Sequence, residues 1–563
     1  MAILTRSMVL QRQASPYQFR FALIRCIAVL MLCAPISLYA AEEVQQAESA
    51  AWKRDVALRL EKYCITVFRS PGSGKTRENN LRVARFYATR SYQPLWSSTT
   101  MTQELATSLN AAFEHGLTPA EYDVAGELPR WMALTNRSAA AQARYDVLAT
   151  RAFLTLATHL RYGKLDPVRF EPTWNFSSPP NLFHFDELLA RTLQRTSPSE
   201  VLNGLLPRDP GYDVLKKELA RYREIAKNGG WSAIPAGTLL QEGSRDARVP
   251  LLRQRLAASG DISSSAVADT TTLYNPDVTK AVKRFQQQHG LWSDGVVGAT
   301  TLRAINVSAD ERIGQLRVNL ERCRWLLHDI SPTSVIVNIP AYTLHYFEQG
   351  DRRWSTRVIV GQPKRPTPVF RADMQLLILN PRWVVPSTVL AKDVLPAVIK
   401  DPAYLRKKKL RVVDENGTII DPATIKWSSY SASTLPYRLQ QKSGDDGALG
   451  RIKFLMPNRY TIYLHDTPDK ALFQKTQRAF SSGCIRVQHP EELARLVLRH
   501  SNRESRPSLE SRIKSGATST IRLPQQIPVY LIYLTALPCN NKAEFREDIY
   551  HRDPQILKAL DAK

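Results

Sequence analysis

Only six of the 563 residues are cysteine and 24 are glycine, and no apolar run approaches the ~20 residues that a helix needs to cross a bilayer. These scarcities exclude a disulfide-dense scaffold, a collagen-like repeat and a multi-span membrane protein. Acid is also scarce: 52 Asp and Glu stand against 77 Lys and Arg, a formal charge of +25. Such a chain favours anionic partners: nucleic acid, anionic lipid or a carboxylate-bearing polymer. What remains is ordinary globular material, with 43% hydrophobic and 23% charged residues, outside the balance of a disordered chain. At roughly 100–200 residues per domain the length predicts about three to five compact units.

The first forty residues read as an export signal. Arg6, Arg12, Arg20 and Arg25 form a positive region without acid, the apolar run 26–34 follows, and Pro35 and small residues lead to Ala40, Ala41 and Glu42. Leu38 or Tyr39 stands where cleavage prefers a small residue, so an uncleaved anchor at the membrane is the alternative. Removal of 1–41 takes four arginines and no acid, leaving +21 and four cysteines: Cys64, Cys323, Cys484 and Cys539. Export places the protein outside the cytoplasm and argues against nucleic acid. Cys64, Cys323 and Cys539 have apolar or helical surroundings, whereas Cys484 lies in a polar turn with Gly483.

Residues 42–236 read as a helical domain, with apolar stripes at Leu105, Leu109, Ala112, Phe113 and at Phe153, Leu154, Ala157, Leu160. A second unit, 237–307, is expected to hold three helices. Val249, Leu252 and Leu256 share one face, and Asn275 with Pro276 opens a helix that buries Val278, Val282 and Phe285. Its run Phe285-Gln286, Gly290-Leu291, Asp294-Gly295, Val297-Gly298, Thr301 resembles the peptidoglycan-binding domain appended to many wall enzymes, in which most of these residues are structural. Residues 308–333 read as a linker helix and 541–563 as a tail.

From about 334 to 540 the period changes to two, and short apolar runs such as 334–339, 357–360, 376–379, 461–464 and 529–534 predict a β-rich domain. A stretch at about 387–447 with its own helical pattern reads as an insertion, and loops of that length tend to be lids or binding elements. The fold class expected is therefore multidomain α+β.

One constellation carries chemistry. His465 ends an alternating strand, and nineteen residues later Cys484 sits in Ser481-Ser482-Gly483-Cys484-Ile485-Arg486. A cysteine is nucleophilic as thiolate, and a neighbouring imidazole supplies the proton acceptor. The amides of Gly483 and Cys484 are candidate oxyanion donors. This pattern resembles the L,D-transpeptidase (YkuD-domain) family, in which a His and a spacer precede Ser/Thr-His-Gly-Cys, a hydrophobic residue and Asn or Arg. Ser482 replaces the usual second His. With the helical region, the wall-binding module and the insertion, the chain resembles the large periplasmic, YcbB-type branch.

The resemblance implies acyl transfer between peptidoglycan tetrapeptide stems, donor and acceptor both. Cys484 acts as nucleophile and His465 as base; the products are D-Ala and a 3→3 cross-link. It implies no metal or organic cofactor, other wall-synthesis enzymes as partners, and acylation by carbapenems. An L,D-carboxypeptidase, a wall-protein hydrolase and an inactive binding scaffold are the competing readings. Around the pair, Tyr463 and Arg486 are expected on the faces of His465 and Cys484. Tyr463 either donates its hydroxyl there or fills space, and Arg486 either grips a stem carboxylate or braces the Cys loop. Trp383 is a candidate groove residue, and His465 is to be oriented by the Asp466 side chain or by a backbone carbonyl.

Overall fold

The computed structural model describes residue 46 and residues 49–562, apart from 124–125, 135–136, 177–180 and 500–507. The expected export signal lies outside the described residues. Among those described, no helix is long and apolar enough to cross a membrane. The described residues form two compact units: one holds those up to Ser108 with Tyr122–Thr155 and Asn181–Val201, the other Leu109–Glu121, the described residues from Leu156 to 176, and those from Leu202 onward.

The first unit is helical. Its core gathers Val83, Phe86, Tyr87, Trp96 and Phe153 around a buried carboxylate. Asp146 Oδ1 accepts from Leu95 N at 2.6 Å and the Tyr87 hydroxyl at 2.9 Å, and its Oδ2 accepts from Gln142 Nε2 at 2.6 Å. Those donors replace the water that burial removes.

Within the second unit, the stretch 237–307 forms the three expected helices, Val249–Ala258, Pro276–Gln288 and Ala299–Ile305. Asn275 caps the second helix by accepting from Val278 N at 3.0 Å, with Pro276 at its first position. Its motif residues converge on one side chain. Gln286 Nε2 donates to Asp294 Oδ1, the Val296 carbonyl and Thr301 Oγ1, and Gln286 Oε1 accepts from Gly295 N at 2.8 Å. Gly295 has φ +81°, and a Cβ there would stand 2.8 Å from Thr279 Cγ2. The motif thus maintains the turn.

The helix Ala309–Leu326 opens on a Ser308/Glu311 capping box. It is no exposed linker: Leu316, Val318, Leu320 and Cys323 are buried on different faces. At its end the fully enclosed pair Arg324–Glu321, at 2.6 Å, is satisfied by Tyr212, the His115 carbonyl and Trp325 Nε1. Phe113, expected on an apolar stripe, is half exposed. The helix before it stops at Ala111 and gives way to a 3₁₀ turn, Ala112–His115, whose tighter period rotates the ring outward under the Arg223 guanidinium.

The remaining chain supplies fifteen strands: β1 Ser334–Asn338, β2 Thr343–Glu348, β3 Asp351–Gly361, β4 Phe370–Leu379, β5 Trp383–Val384, β6 Leu410–Val413, β7 Ile419–Ile420, β8 Arg438–Gln441, β9 Ile452–Leu455, β10 Leu464–His465, β11 Ala479–Ser481, β12 Ile485–Val487, β13 Ser519–Ile532, β14 Ala536–Cys539 and β15 Lys542–Phe545. The principal sheet runs β11-β3-β12-β10-β9-β4-β13-β1-β2, and β2 also pairs with β3. Eight strands therefore close into a ring, which removes their free edges. β11 continues the β2 edge of β3. Alternation fills the interior with Val335, Leu344, Val358, Leu377, Phe454, Leu464, Ile485 and Val529, all without solvent exposure.

Between β4 and β9 the insertion forms its own four-stranded sheet, β5-β8-β6-β7, over a core of Val394, Val398, Leu405, Val412 and Leu439. Residues after 540 are more than a tail: β15 pairs with β14, and the helix Asp553–Asp561 buries Ile556 and Leu560.

Burial drives five imidazoles of this unit down, His115 and His465 to about 3, His328 and His345 to about 4, and His289 well below its usual range. Unfolded, each takes up a proton near pH 6.5; folded, it does not. The stability contributed is therefore present above pH 6.5 and is lost as pH falls, by at most about 1.4 kcal/mol per pH unit for each histidine. The urea midpoint of the second unit should fall between pH 7 and pH 5.5; an unchanged or rising midpoint would contradict this assignment.

Candidate active site

β10 and β12 are two and three residues long and parallel, with Leu464 opposite Ile485 and His465 opposite Arg486. One step earlier, Ile485 N donates to the Tyr463 carbonyl at 3.1 Å, so Cys484 lies level with Tyr463. Leu464 and Ile485 point into the ring. By alternation Tyr463, His465, Cys484 and Arg486 share its outer face. β9, antiparallel to β10, sets Lys453 opposite His465, and its neighbours Ile452 and Phe454 point inward.

The loop carrying Cys484 crosses the end of β3, from β11 on one edge to β12 on the other. Backbones approach closely there: a Cβ on Gly361 would lie 2.3 Å from the Arg365 carbonyl. The Thr367 hydroxyl accepts from Gly361 N at 2.9 Å and donates to the Gly483 carbonyl at 2.8 Å. From the C-terminal segment, the Tyr550 hydroxyl donates to the Gly361 carbonyl at 2.6 Å and accepts from Thr367 N. Within the loop, Ser481 Oγ donates to the Cys484 carbonyl at 2.5 Å and accepts from Gly483 N at 3.1 Å.

That last bond corrects one expectation: the Gly483 amide is already committed, so it is no oxyanion donor. Gly483 is needed for its φ of +116° and for close passage by Ile462. The Cys484 amide makes no hydrogen bond among the described residues and stays available.

His465 Nδ1 lies 2.5 Å from the Asp466 carbonyl oxygen. A carbonyl only accepts, so Nδ1 carries the proton and Nε2 is the basic nitrogen. The Asp466 side chain turns elsewhere: it accepts from Arg451 N at 2.8 Å and Thr467 N at 2.7 Å and pairs with Lys470. Its place requires Gly450, where a Cβ would collide with the carboxylate. Burial, followed by the charges of Arg486 and Lys453, holds the imidazole neutral, at about 3.

Cys484 is partly exposed, and its thiol donates to the Thr461 carbonyl at 3.7 Å rather than to His465. Thr461, expected in a strand, has φ +59° and belongs to a turn. Asn458 shapes that turn, donating to the Met456 and Ile462 carbonyls and accepting from Tyr460 N and Ile462 N. Burial pushes the thiol up, while the Tyr463 backbone, Lys453, the Tyr463 hydroxyl and Arg486 act to lower it. Tyr463 also interacts with Trp383 on β5, so the insertion reaches the nucleophile's neighbour. The Tyr463 and His465 rings meet edge-on at 5.5 Å.

Two expected residues sit differently. Arg486 donates to Asp469 at 2.9 Å, so it neither braces the Cys loop nor stands free. Ser482 is exposed and accepts from Arg365 Nη1 at 2.9 Å; Arg365 is also bidentate to Asp393 of the insertion, at 2.5 and 2.6 Å. Lys453, Thr461, Thr367 and Tyr550 were not anticipated. Only Lys453 left a local signal, as a charge flanked by inward-facing Ile452 and Phe454. No cluster of three or more metal-ligating side chains occurs among the described residues.

These features coincide with three family matches. Residues 332–514 match the L,D-transpeptidase catalytic domain, 245–305 the putative peptidoglycan binding domain and 82–219 the scaffold domain. The chain carries a YkuD-type L,D-transpeptidase catalytic domain together with a peptidoglycan-binding domain and a scaffold domain. It is also 38% identical, over 254 residues, to a "Putative L,D-transpeptidase" of Haemophilus influenzae, covering 45% of this chain and 51% of that protein. The match thus spans about half the length of the relative.

Thr367→Val keeps the shape but leaves Gly361 N and the Gly483 carbonyl without their partner. Urea unfolding should show a loss of about 1–3 kcal/mol, more than Tyr550→Phe. An unchanged Thr367→Val midpoint would show that the clamp contributes nothing.

Proposed function

We propose that this protein is a peptidoglycan L,D-transpeptidase that forms 3→3 cross-links through a Cys484 thioester. The observation that carries the reading is that Cys484 and a neutral, Nδ1-protonated His465 share the outward face of the β10/β12 pair, beside an uncommitted Cys484 amide. His465 Nε2 removes the thiol proton as Sγ attacks the carbonyl of the L-centre of the diamino acid at stem position three. The Cys484 amide and the Tyr463 hydroxyl receive the oxyanion. Collapse breaks the bond to D-Ala, whose amine takes the proton from His465, and leaves the thioester. The side-chain amine of a second stem then attacks; His465 accepts its proton and returns it to the departing thiolate.

The peptidoglycan-binding domain match and the chain's net positive charge suit a carboxylate-rich polymer. The expected export signal fits a periplasmic enzyme, cleaved or anchored, and the partly exposed Cys484 is suited to acylation by carbapenems. Water as acceptor would make the same site an L,D-carboxypeptidase.

Muropeptide mass spectrometry after incubation with tetrapeptide fragments should reveal a dimer of two substrates less one D-Ala, absent with Cys484→Ala. His465→Gln should lower the rate by about 10²–10⁴. Tripeptide monomers alone would replace the reading with carboxypeptidase, and unchanged substrate would refute acyl transfer.

Because His465 is neutral throughout the working range, the rate should climb with pH from 6 to 9 as the thiol gives up its proton. A rate limb near pH 6.5 would show instead that the imidazole titrates normally.

A further inference from the structure

In a cysteine–histidine pair the thiolate is ordinarily balanced by the imidazolium that forms when the proton crosses. Here cations flank the imidazole. His465 is opposite Lys453 on β9 and Arg486 on β12, and both disfavour a positive charge on it. The positive charge facing Cys484 must therefore come from elsewhere.

The charged groups around the thiol are few. Arg486 is tied to Asp469. Arg451, two residues before Lys453 on β9, is tied to Asp445, and Lys470 to Asp466. β4 offers only Ile378 opposite Lys453, and the insertion offers Trp383, which interacts with Tyr463. Lys453 alone in this group has no carboxylate partner among the described residues. Its Nζ stands 3.8 Å from the centre of the Tyr463 ring, and Tyr463 is level with Cys484 across the β10/β12 pairing. An ammonium against that face is held by the ring quadrupole and polarises the phenol toward donation.

We infer that Lys453 is the resident counter-charge for the Cys484 thiolate, acting directly and through the Tyr463 hydroxyl as a positioning residue of the acyl-transfer site. The inference rests on Cys484 being the nucleophile. It assigns the proton to His465 and the charge to Lys453: the imidazole takes the thiol proton in the reaction, and the ammonium stabilises the sulfur before and after acylation. Burial of the ammonium lowers its own affinity for a proton, which leaves it responsive to the charge on its neighbour.

The test is the pH profile of Cys484 alkylation by iodoacetamide, a neutral reagent, read by peptide mapping so that Cys539, a thiol outside the site that burial and Glu544 push up, serves as the internal reference. Lys453→Met should move the Cys484 profile upward by roughly half to one pH unit and slow alkylation at pH 7.5 by about three- to tenfold. Lys453→Arg should remain within about twofold of the native protein. With tetrapeptide substrate, kcat should fall in Lys453→Met while KM holds. Should Lys453→Met fail to fold by circular dichroism, Lys453→Gln takes its place and must show the same displacement. Superimposed profiles would overturn the inference, as would a rise in KM alone, which would make Lys453 a clamp for a substrate carboxylate. Failure of the nucleophile reading looks different: Cys484 of the native protein would then react no faster than Cys539, whatever occupies position 453.

Discussion

The site depends on the parallel pairing of β10 with β12. These are among the shortest strands in the ring, yet the pair is held from both sides, by β9 and β3. Their register alone decides which side chains face out. A slip of one residue would turn Cys484 or His465 into the apolar interior and bring Leu464 or Ile485 to the surface. Burial of those two residues, both without solvent exposure, therefore fixes the catalytic register. The ring supplies the rest, since closure through β2 and β3 holds the β3 end over which the Cys loop must pass.

Around that pairing, each hydrogen bond has a separate task. Thr367 and Tyr550 tie the loop to Gly361, Ser481 fixes its turn, and Asn458 shapes the segment that presents the Thr461 carbonyl to the thiol. The Asp466 carbonyl, rather than its carboxylate, selects the imidazole tautomer. This arrangement keeps the nearest acid out of the Cys–His pair, where a carboxylate would favour a permanently charged imidazolium. The electrostatics instead run the opposite way, with a neutral base between two cations. A thiol that is itself held high by burial keeps most of its proton at neutral pH, so that proton transfer to His465 accompanies attack there. The insertion touches this centre through Trp383, on Tyr463, and through Asp393, which shares Arg365 with Ser482.

Much of this was legible in the sequence because it is local. The Asn275-Pro276 start, the Gln286-to-Thr301 turn and the His465/Cys484 motif are each encoded within about twenty residues, and alternation placed Tyr463 with His465 and Arg486 with Cys484. Thr367 and Tyr550 were invisible, and Lys453 showed only as a charge between two apolar residues, for a physical reason: they come from the loop after β3, the C-terminal segment and β9, and they meet the motif only when the ring closes. Gly483 read as an oxyanion donor because sequence does not reveal that Ser481 already holds its amide. Phe113 read as core because a helical period was extended past the point where the turn tightens.

The most direct measurement is the intact mass of the protein during turnover of a tetrapeptide stem, with the modified residue located by fragmentation. The account predicts a transient increase equal to the stem less D-Ala, carried on Cys484 and absent in Cys484→Ala. An adduct on any other residue, or product formed by Cys484→Ala at the native rate, would contradict it.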